Sequence, residues 1–175
     1  MAEELIESEE PVLEASACHI DRPCYRAKIN TENSLCPIMP YVNADAKVIL
    51  YEPADDVLIF RLDRYKVALR PNELTVGSVP DLIEGRHAVS MAITYLNELW
   101  KRRGGVTPNH HARKRPAAFE IYKVLPKSNC KACGEASCLA FATKLALAEA
   151  EIDSCAPLND DCEAKKRIIK LVEGI

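Results

Sequence analysis

Four cysteines in the last third of the chain constrain its fold more than any other feature. Three of them have the spacing C-x2-C-x4-C and the fourth follows after sixteen residues; they are Cys130, Cys133, Cys138 and Cys155. A cubane iron–sulfur cluster has four iron corners, and each corner needs one terminal thiolate. The spacing therefore predicts a 4Fe–4S cluster with these four cysteines as its cofactor-binding and metal ligands.

The sequence between these cysteines allows their sulfurs to meet. Gly134 can adopt a positive φ in the turn after the second cysteine. Residues 136–147 are predicted to form a helix, and the N–H groups at its start favour an anionic cluster. Residues 148–154 can then span up to about 23 Å, which is enough to return Cys155 to the fourth corner. Pro157 is expected to stop any continuing helix.

Two other uses of the cysteines have to be weighed. Four cysteines within 26 residues can bind zinc, but zinc sites usually have a second C-x2-C pair, which is missing here. Disulfides need an oxidising compartment, and no segment near the N-terminus has the order of a signal peptide. The eight cysteines of the chain therefore favour metal chemistry in a reducing cytoplasm over disulfides.

The residues around the cysteines resemble a known family. The sequences LPKSNC at 125–130 and CGEASCLAFA at 133–142, followed by Cys155, are similar to the four-cysteine 4Fe–4S domain of anaerobes. That domain occurs in the large (gamma) subunit of the corrinoid iron–sulfur protein and in the B subunit of Rnf complexes. The resemblance covers about residues 125–158 and implies the same four ligands. Lys131 and Ala148 depart from it, because the family commonly has glycine there.

The N-terminal third contains the least certain candidates. Residues 1–16 include six glutamates and no basic residue, which predicts a solvated acidic tail or, as the alternative, a docking arm for a basic partner. Cys18, Cys24 and Cys36 follow at irregular spacing, so a second metal site completed by His19 or Cys162 is one interpretation. The other is that these cysteines are ordinary small buried residues.

Residues 17–103 are predicted to form an α+β domain. Strands are expected at 47–51, 57–62, 65–70 and 74–76, with a further one at 25–31, because these runs are apolar, rich in β-branched residues and separated by turn residues. A long helix is predicted over 81–103, with Asp81 as its N-cap. Its apolar stripe should cover one face of a four-to-five-stranded antiparallel meander.

The remaining residues divide into a linker and a cluster domain. Residues 104–117 are predicted to be a basic linker, because 101–115 contains six Lys and Arg and no acid, together with His110 and His111. Nucleic-acid binding is one interpretation, but no aromatic residue is interleaved and the whole chain has net charge −3. A charged hinge or a surface for an acidic protein is favoured. Residues 118–175 are predicted to be a small, mostly helical 4Fe–4S domain with a C-terminal helix capped by Asp160 and Glu163.

These features favour a binding protein and not an enzyme. A cluster with four cysteine ligands has no open iron for a substrate, so one-electron transfer is its remaining chemistry. Lys127 and Lys131 would ease reduction and could face an acidic partner. The resemblance implies a low-potential electron-transfer module for a partner enzyme of anaerobic metabolism, of corrinoid or dehydrogenase type. The alternative is an assembly module in which the cluster is structural and the α+β domain recognises a metalloenzyme. We identify no catalytic residue, small-molecule substrate or membrane span.

Overall fold

The computed structural model describes residues 4–7, 10–15 and 24–173. It divides the chain into two compact units, an N-terminal unit of residues 1–112 and a C-terminal unit of residues 113–175. The N-terminal unit mixes strands and helices, whereas the described elements of the C-terminal unit are helices joined by short loops. The predicted α+β class is confirmed.

The N-terminal unit contains one six-stranded antiparallel sheet. Its strands are β1 (Val12–Ala15), β2 (Tyr25–Asn30), β3 (Lys47–Glu52), β4 (Val57–Leu62), β5 (Tyr65–Arg70) and β6 (Glu73–Val79). Their order across the sheet is β1-β2-β6-β5-β4-β3, so the predicted meander is confirmed as the consecutive strands β3 to β6. The sheet has six strands where we predicted four to five, because β1 adds to the edge of β2.

Alternate side chains build the core on one face of this sheet. Phe60 on β4 lies opposite Val67 on β5, which lies opposite Val76 on β6, and all three are fully buried. This is the two-residue periodicity that a strand imposes on its side chains. The buried face packs with the helices into one apolar core.

Two helices complete the N-terminal unit. A short 3₁₀ turn, Cys36–Ile38, leads into α1 (Met39–Asp45), and the long helix α2 spans Leu82–Arg102. The predicted cap is confirmed, because the Asp81 side chain accepts a hydrogen bond from the Glu84 N–H at 2.9 Å. A Cβ at Gly85 would lie 3.1 Å from the Cβ of Ala27, so glycine here lets α2 approach the sheet closely.

The described part of the predicted acidic tail is a packed element of the N-terminal unit, which corrects the expectation for residues 1–16. Leu5 and Ile6 are buried in the core, and residues 12–15 form β1. The side-chain oxygen of Asn97 on α2 accepts hydrogen bonds from the N–H groups of both Leu5 and Ile6 at 3.0 Å, and its amide donates to the Ile6 carbonyl at 2.8 Å. The side chains of Leu5 and Ile6 and the buried amide of Asn97 therefore fix this segment, although its glutamates predicted that it is solvated.

The first half of the predicted linker is also attached to the N-terminal unit. The amide of Asn43 in α1 donates to the carbonyls of Asn109 and His111 at 2.8 and 3.0 Å. The Asn109 N–H donates to the Pro40 carbonyl at 2.9 Å. The boundary between the units falls after residue 112, so residues 104–112 of the predicted linker, 104–117, belong to the N-terminal unit. Sequence composition did not show that one buried amide fixes this segment.

Four α-helices lie in the described part of the C-terminal unit, residues 113–173. They are α3 (Ala118–Val124), α4 (Cys138–Ala146), α5 (Ala156–Asn159) and α6 (Cys162–Glu173). Its core includes Ile121, Phe141, Leu158 and Ile168, all almost fully buried. The cap of α6 differs from our prediction by one residue, because Asp161 and not Asp160 accepts the hydrogen bond, from the Ala164 N–H at 3.0 Å. None of the helices that the structure describes is long and apolar enough to cross a membrane.

Candidate metal centre

All four predicted ligands lie at loops or helix starts of the C-terminal unit. Cys130 and Cys133 lie in the loop between α3 and α4, Cys138 is the first residue of α4, and Cys155 directly precedes α5. Their exposure differs in a graded way, since Cys130 is exposed, Cys133 is half-buried, and Cys138 and Cys155 are 9% and 6% exposed. One of the four cysteines is therefore exposed to solvent, and two are shielded from it.

The loop that carries the first two cysteines is built from left-handed residues. Positive φ angles occur at Lys127 (57°), Asn129 (48°), Lys131 (61°) and Gly134 (82°), which confirms the expectation for the glycine. The Gly134 N–H donates to the Lys131 carbonyl at 2.9 Å and closes a turn around Cys133. Left-handed residues alternating with ordinary ones point successive N–H groups toward one centre, which is the geometry of an anion-binding nest.

Backbone and hydroxyl donors reach the sulfur atoms. The Ala132 N–H, the Ser128 hydroxyl and its own N–H donate to the Cys130 sulfur and lower the pKa of that thiol. The Asn129 N–H donates to the Cys138 sulfur at 3.4 Å. Because such donors stabilise the thiolate over the thiol, the loop favours the form of cysteine that binds a metal.

Asn129 was not among the candidates drawn from the sequence. Besides its N–H contact with the Cys138 sulfur, its side-chain oxygen accepts a hydrogen bond from the Cys138 N–H at 2.9 Å. This reciprocal pair ties the cysteine loop to the start of α4. Asparagine tolerates left-handed φ and bonds to nearby backbone groups, so its position directly before the first cysteine was the signal that could have identified it.

Cys155 interacts electrostatically with the other three cysteines. Burial raises the pKa of its thiol, and the nearby sulfurs of Cys133, Cys138 and Cys130 raise it further, while the Leu158 N–H lowers it. The other three cysteines must lie within electrostatic range for their charges to act on Cys155. This electrostatic effect of the other three cysteines on Cys155 supports a common site for the four residues.

A charged pair lies beside Cys133. Lys144 on α4 contacts a carboxylate oxygen of Glu135 at 2.6 Å. The hydrogen bond to Glu135 raises the pKa of Lys144, and the Cys133 thiolate adds to the rise. An ammonium group next to a thiolate offsets part of its negative charge. Lys144 was not among the predicted site residues, because the helix turn that brings it to Glu135 is not part of the cysteine motif.

The donor set fits a cluster better than a single ion. In the described ranges 4–7, 10–15 and 24–173, no three His, Cys, Asp or Glu side chains form a group that could hold one metal ion. A zinc ion would need its thiolates about 2.3 Å from one centre, whereas a cubane distributes four thiolates over four separate irons. Four cysteines whose charges act on one another, with N–H donors to the sulfurs of Cys130, Cys138 and Cys155, fit an iron–sulfur cluster.

The second candidate site stays a prediction. Cys18 and His19 lie outside the described residues. Cys24 directly precedes β2 and Cys36 begins the 3₁₀ turn, and neither belongs to a group of three metal-binding side chains among the described residues. Cys162 is exposed at the start of α6, in the other unit of the chain.

Comparison with known proteins decides the class of this site. Residues 125–157 match the family model described as "Putative Fe-S cluster". These residues are similar to an iron–sulfur cluster domain. They contain all four cysteines, and the family resemblance predicted from the motif is confirmed.

Curated relatives match the iron–sulfur domain and its surroundings. The gamma subunit of the acetyl-CoA decarbonylase/synthase complex of Methanocaldococcus jannaschii is 54% identical over 61 residues, which are 34% of this chain and 12% of that protein. The corrinoid/iron-sulfur protein large subunit of Moorella thermoacetica is 48% identical over 62 residues, 32% of this chain and 14% of that protein. The chain thus spans only a small part of the length of these relatives. No solved structure matches it.

Proposed function

We propose that Cys130, Cys133, Cys138 and Cys155 hold one 4Fe–4S cluster and that the chain carries single electrons to or from a protein partner. The observation that supports this most directly is that the cysteines of the α3–α4 loop and of the start of α4 act electrostatically on Cys155, which directly precedes α5. When bound, such a cluster supplies one-electron redox chemistry at a potential set by charge, hydrogen bonds and exposure.

The chain's own residues would set those three quantities. The N–H groups of Ala132, Asn129 and Leu158 donate to sulfur, and the positive charge of Lys144 interacts with that of the Cys133 thiolate. Each of these groups stabilises added negative charge, so each would raise the reduction potential. The buried surroundings of Cys138 and Cys155 exclude water from two corners and would act in the opposite direction. The balance between these effects determines the potential.

The partner is proposed from the names of the relatives. Several of them are subunits of the acetyl-CoA decarbonylase/synthase complex, and another is named as a corrinoid/iron-sulfur protein. We infer that this chain serves an enzyme of that corrinoid or dehydrogenase type as a non-catalytic subunit or carrier. Because the match covers 10 to 14% of these three relatives, only the cluster chemistry is carried over, and not their other activities.

Anaerobic purification followed by iron and sulfide analysis tests the cluster. We expect about four irons and four sulfides per chain, and an EPR signal after reduction with dithionite. Replacing any one of the four cysteines by alanine should reduce the iron content severely, whereas Cys162→Ala should leave it unchanged. Zinc without sulfide, or full iron in all four single variants, would contradict the proposal.

A structural role for the cluster is the second candidate. Cys138 and Cys155 are part of the apolar core of the C-terminal unit, so a cluster bound to them would also join α4 to α5. The alternative predicts a cluster that dithionite does not reduce and whose removal abolishes binding to a fixed protein partner. Reversible reduction at a measurable potential would favour the carrier over this alternative.

A further inference from the structure

The surface of α3 beside the cysteine loop has an unusual composition. Phe119 is 58% exposed, although the same helix buries Ile121 completely. The rings of Phe119 and Tyr122 are 6.0 Å apart. The ammonium of Lys123 lies 5.2 Å from the Phe119 ring centre, and that of Lys127 lies 5.6 Å from the Tyr122 ring centre. We call these four residues the aromatic–lysine patch.

This patch continues into the exposed corner of the cluster site. Lys127 lies three residues before Cys130, so their Cα atoms are at most about 11 Å apart. Ser128, between them, donates its hydroxyl to the Cys130 sulfur. Residues 126–132 are all exposed, whereas Cys138 and Cys155 are buried. A partner that must come close to the cluster can therefore approach it at Cys130, beside the patch.

The charge around this corner is mostly positive. Residues 113–131 contain six Lys and Arg but a single acid, Glu120. Lys123, Lys127 and Lys131 among them are exposed. Aromatic residues are enriched in protein interfaces, and electron-transfer complexes are small and depend on charge to guide the encounter. A ring pair flanked by ammonium groups matches an acidic surface with an apolar centre.

We propose that the aromatic–lysine patch and the Cys130 corner form the docking surface for a small acidic electron-carrier protein. The proposal rests on the electron-transfer function proposed above and adds where the electron enters or leaves the chain. Cys130 is the corner through which it passes, because the other three sulfurs are covered to a greater degree. The lysines steer the carrier, and the rings of Phe119 and Tyr122 form the apolar contact.

The test measures binding and electron transfer separately. The probe for binding is a purified two-cluster bacterial-type ferredoxin, a small acidic carrier, titrated calorimetrically into the cluster-loaded chain at low and high salt. We expect the affinity to fall with salt and to fall about tenfold further in the double variant K123E/K127E. The matched control K166E/K170E makes the same charge change at exposed positions of α6 and should change the affinity less than about threefold.

A second pair of variants tests the apolar contact. F119S should weaken ferredoxin binding several-fold without changing its salt dependence, because it removes an aromatic contact and no charge. I83S truncates an even more exposed apolar side chain in the N-terminal unit and should bind as the unchanged chain does. Iron content is measured for every variant. If K123E/K127E loses iron, the milder K123Q/K127Q is used in its place, with the same expected direction.

Two outcomes would overturn the docking proposal. One is wild-type affinity in K123E/K127E, and the other is an equal loss in K166E/K170E. Tighter binding of a single-stranded oligonucleotide than of ferredoxin at the same patch would also overturn it in favour of a nucleic-acid site. Electron transfer is measured independently as oxidation of the dithionite-reduced chain by cytochrome c. Failure of that reaction with ferredoxin binding intact would contradict the proposed function and leave the docking surface standing.

Discussion

The two units of this protein are stabilised in different ways. The N-terminal unit closes a six-stranded sheet with a long helix around an apolar core that includes Phe60, Val67 and Leu96. The C-terminal unit has 63 residues, only short helices next to the cysteine loop, and a core that includes two of the proposed ligands, Cys138 and Cys155. Natural domains below about 70–80 residues often add a metal or disulfides to apolar burial. The comparison suggests that the first unit folds by packing and the second by packing plus its cluster.

Their charges differ as well. Residues 1–112 contain 12 Lys and Arg against 17 Asp and Glu, a net charge of −5, whereas residues 113–175 contain 11 against 9, a net charge of +2. The net charge of the whole chain, −3, is therefore the sum of two units with opposite net charges. An argument from the whole-chain charge alone would assign the wrong sign to the unit that holds the cluster.

Removing the metal gives the largest expected difference between the units. Because ligand binding energy is folding energy in small metal domains, we expect an iron chelator to reduce hydrogen-exchange protection of α3 to α6 by about two orders of magnitude or more. Strands β2 to β6 should keep their protection in the same sample, which makes the N-terminal unit an internal control. Equal protection of α3 to α6 with and without iron would show that the C-terminal unit packs without its cluster.

Local patterns explain which parts of this fold could be predicted from sequence. Strands β3 to β6 and helix α2 were predicted because their apolar periodicity and the Asp81 cap are properties of neighbouring residues. The burial of Leu5 and Ile6 was missed because it depends on Asn97, more than ninety residues further along the chain. The many glutamates of this segment predicted a solvated tail, and no local pattern shows that Asn97 binds its two apolar residues.

The residues of the candidate site also differ in whether a local pattern predicts them. The four cysteines could be proposed as ligands because their spacing is itself the motif. Asn129 and Lys144 were missed because their roles depend on backbone conformation, namely a φ of 48° at Asn129 and the helix turn that brings Lys144 to Glu135. Candidate ligands can be predicted from residue type and spacing. The hydrogen bonds that change the thiol pKa values can be seen only in the folded loop.

Replacing Asn97 tests whether the N-terminal segment is an integral part of the first unit. N97A leaves the buried N–H groups of Leu5 and Ile6 without their acceptor, so we expect a loss of about 1–3 kcal/mol in the free energy of unfolding of that unit. Trp100 on α2 is the single tryptophan of the chain and reports this transition by fluorescence in urea.

The matched control is E98A, the neighbouring exposed residue of the same helix, which should change stability by less than about 0.5 kcal/mol. Iron content should be unchanged in both variants, because Asn97 belongs to the other unit. Equal stabilities of N97A and the unchanged chain would mean that the segment is not held by this amide.

Ala148 allows a smaller change in the C-terminal unit. It has a φ of 53° at the end of α4, where its N–H donates to the Leu145 carbonyl and the Glu149 N–H donates to the Lys144 carbonyl at 2.7 Å. This is a Schellman motif, which usually has glycine at the left-handed position. A148G should stabilise the unit by up to about 1 kcal/mol, because relief of left-handed strain exceeds the added chain entropy.

The loss of cluster absorbance in denaturant measures this effect, while Trp100 fluorescence should not change. A140G makes the same substitution inside α4 and should destabilise the unit by about 1 kcal/mol. The opposite signs separate backbone strain from a general effect of glycine. Destabilisation by both variants would show that Ala148 is not strained, and that its departure from the family's usual glycine has no energetic consequence.

The smallest expected effect is a pH dependence in the acidic unit. Burial raises the pKa of Asp45, but hydrogen bonds from Arg102 and Tyr95 outweigh it and keep the pKa below its usual value. A lowered carboxyl pKa contributes stability that is complete above the unfolded pKa of about 3.9 and is lost as pH falls through the lower folded value. D45N should therefore cost less than about 1 kcal/mol at pH 6, and the deficit should shrink toward pH 3. The control is D55N, in the exposed turn between β3 and β4. If the stability deficit of D45N stays constant over this pH range, Asp45 contributes through packing and not through its charge.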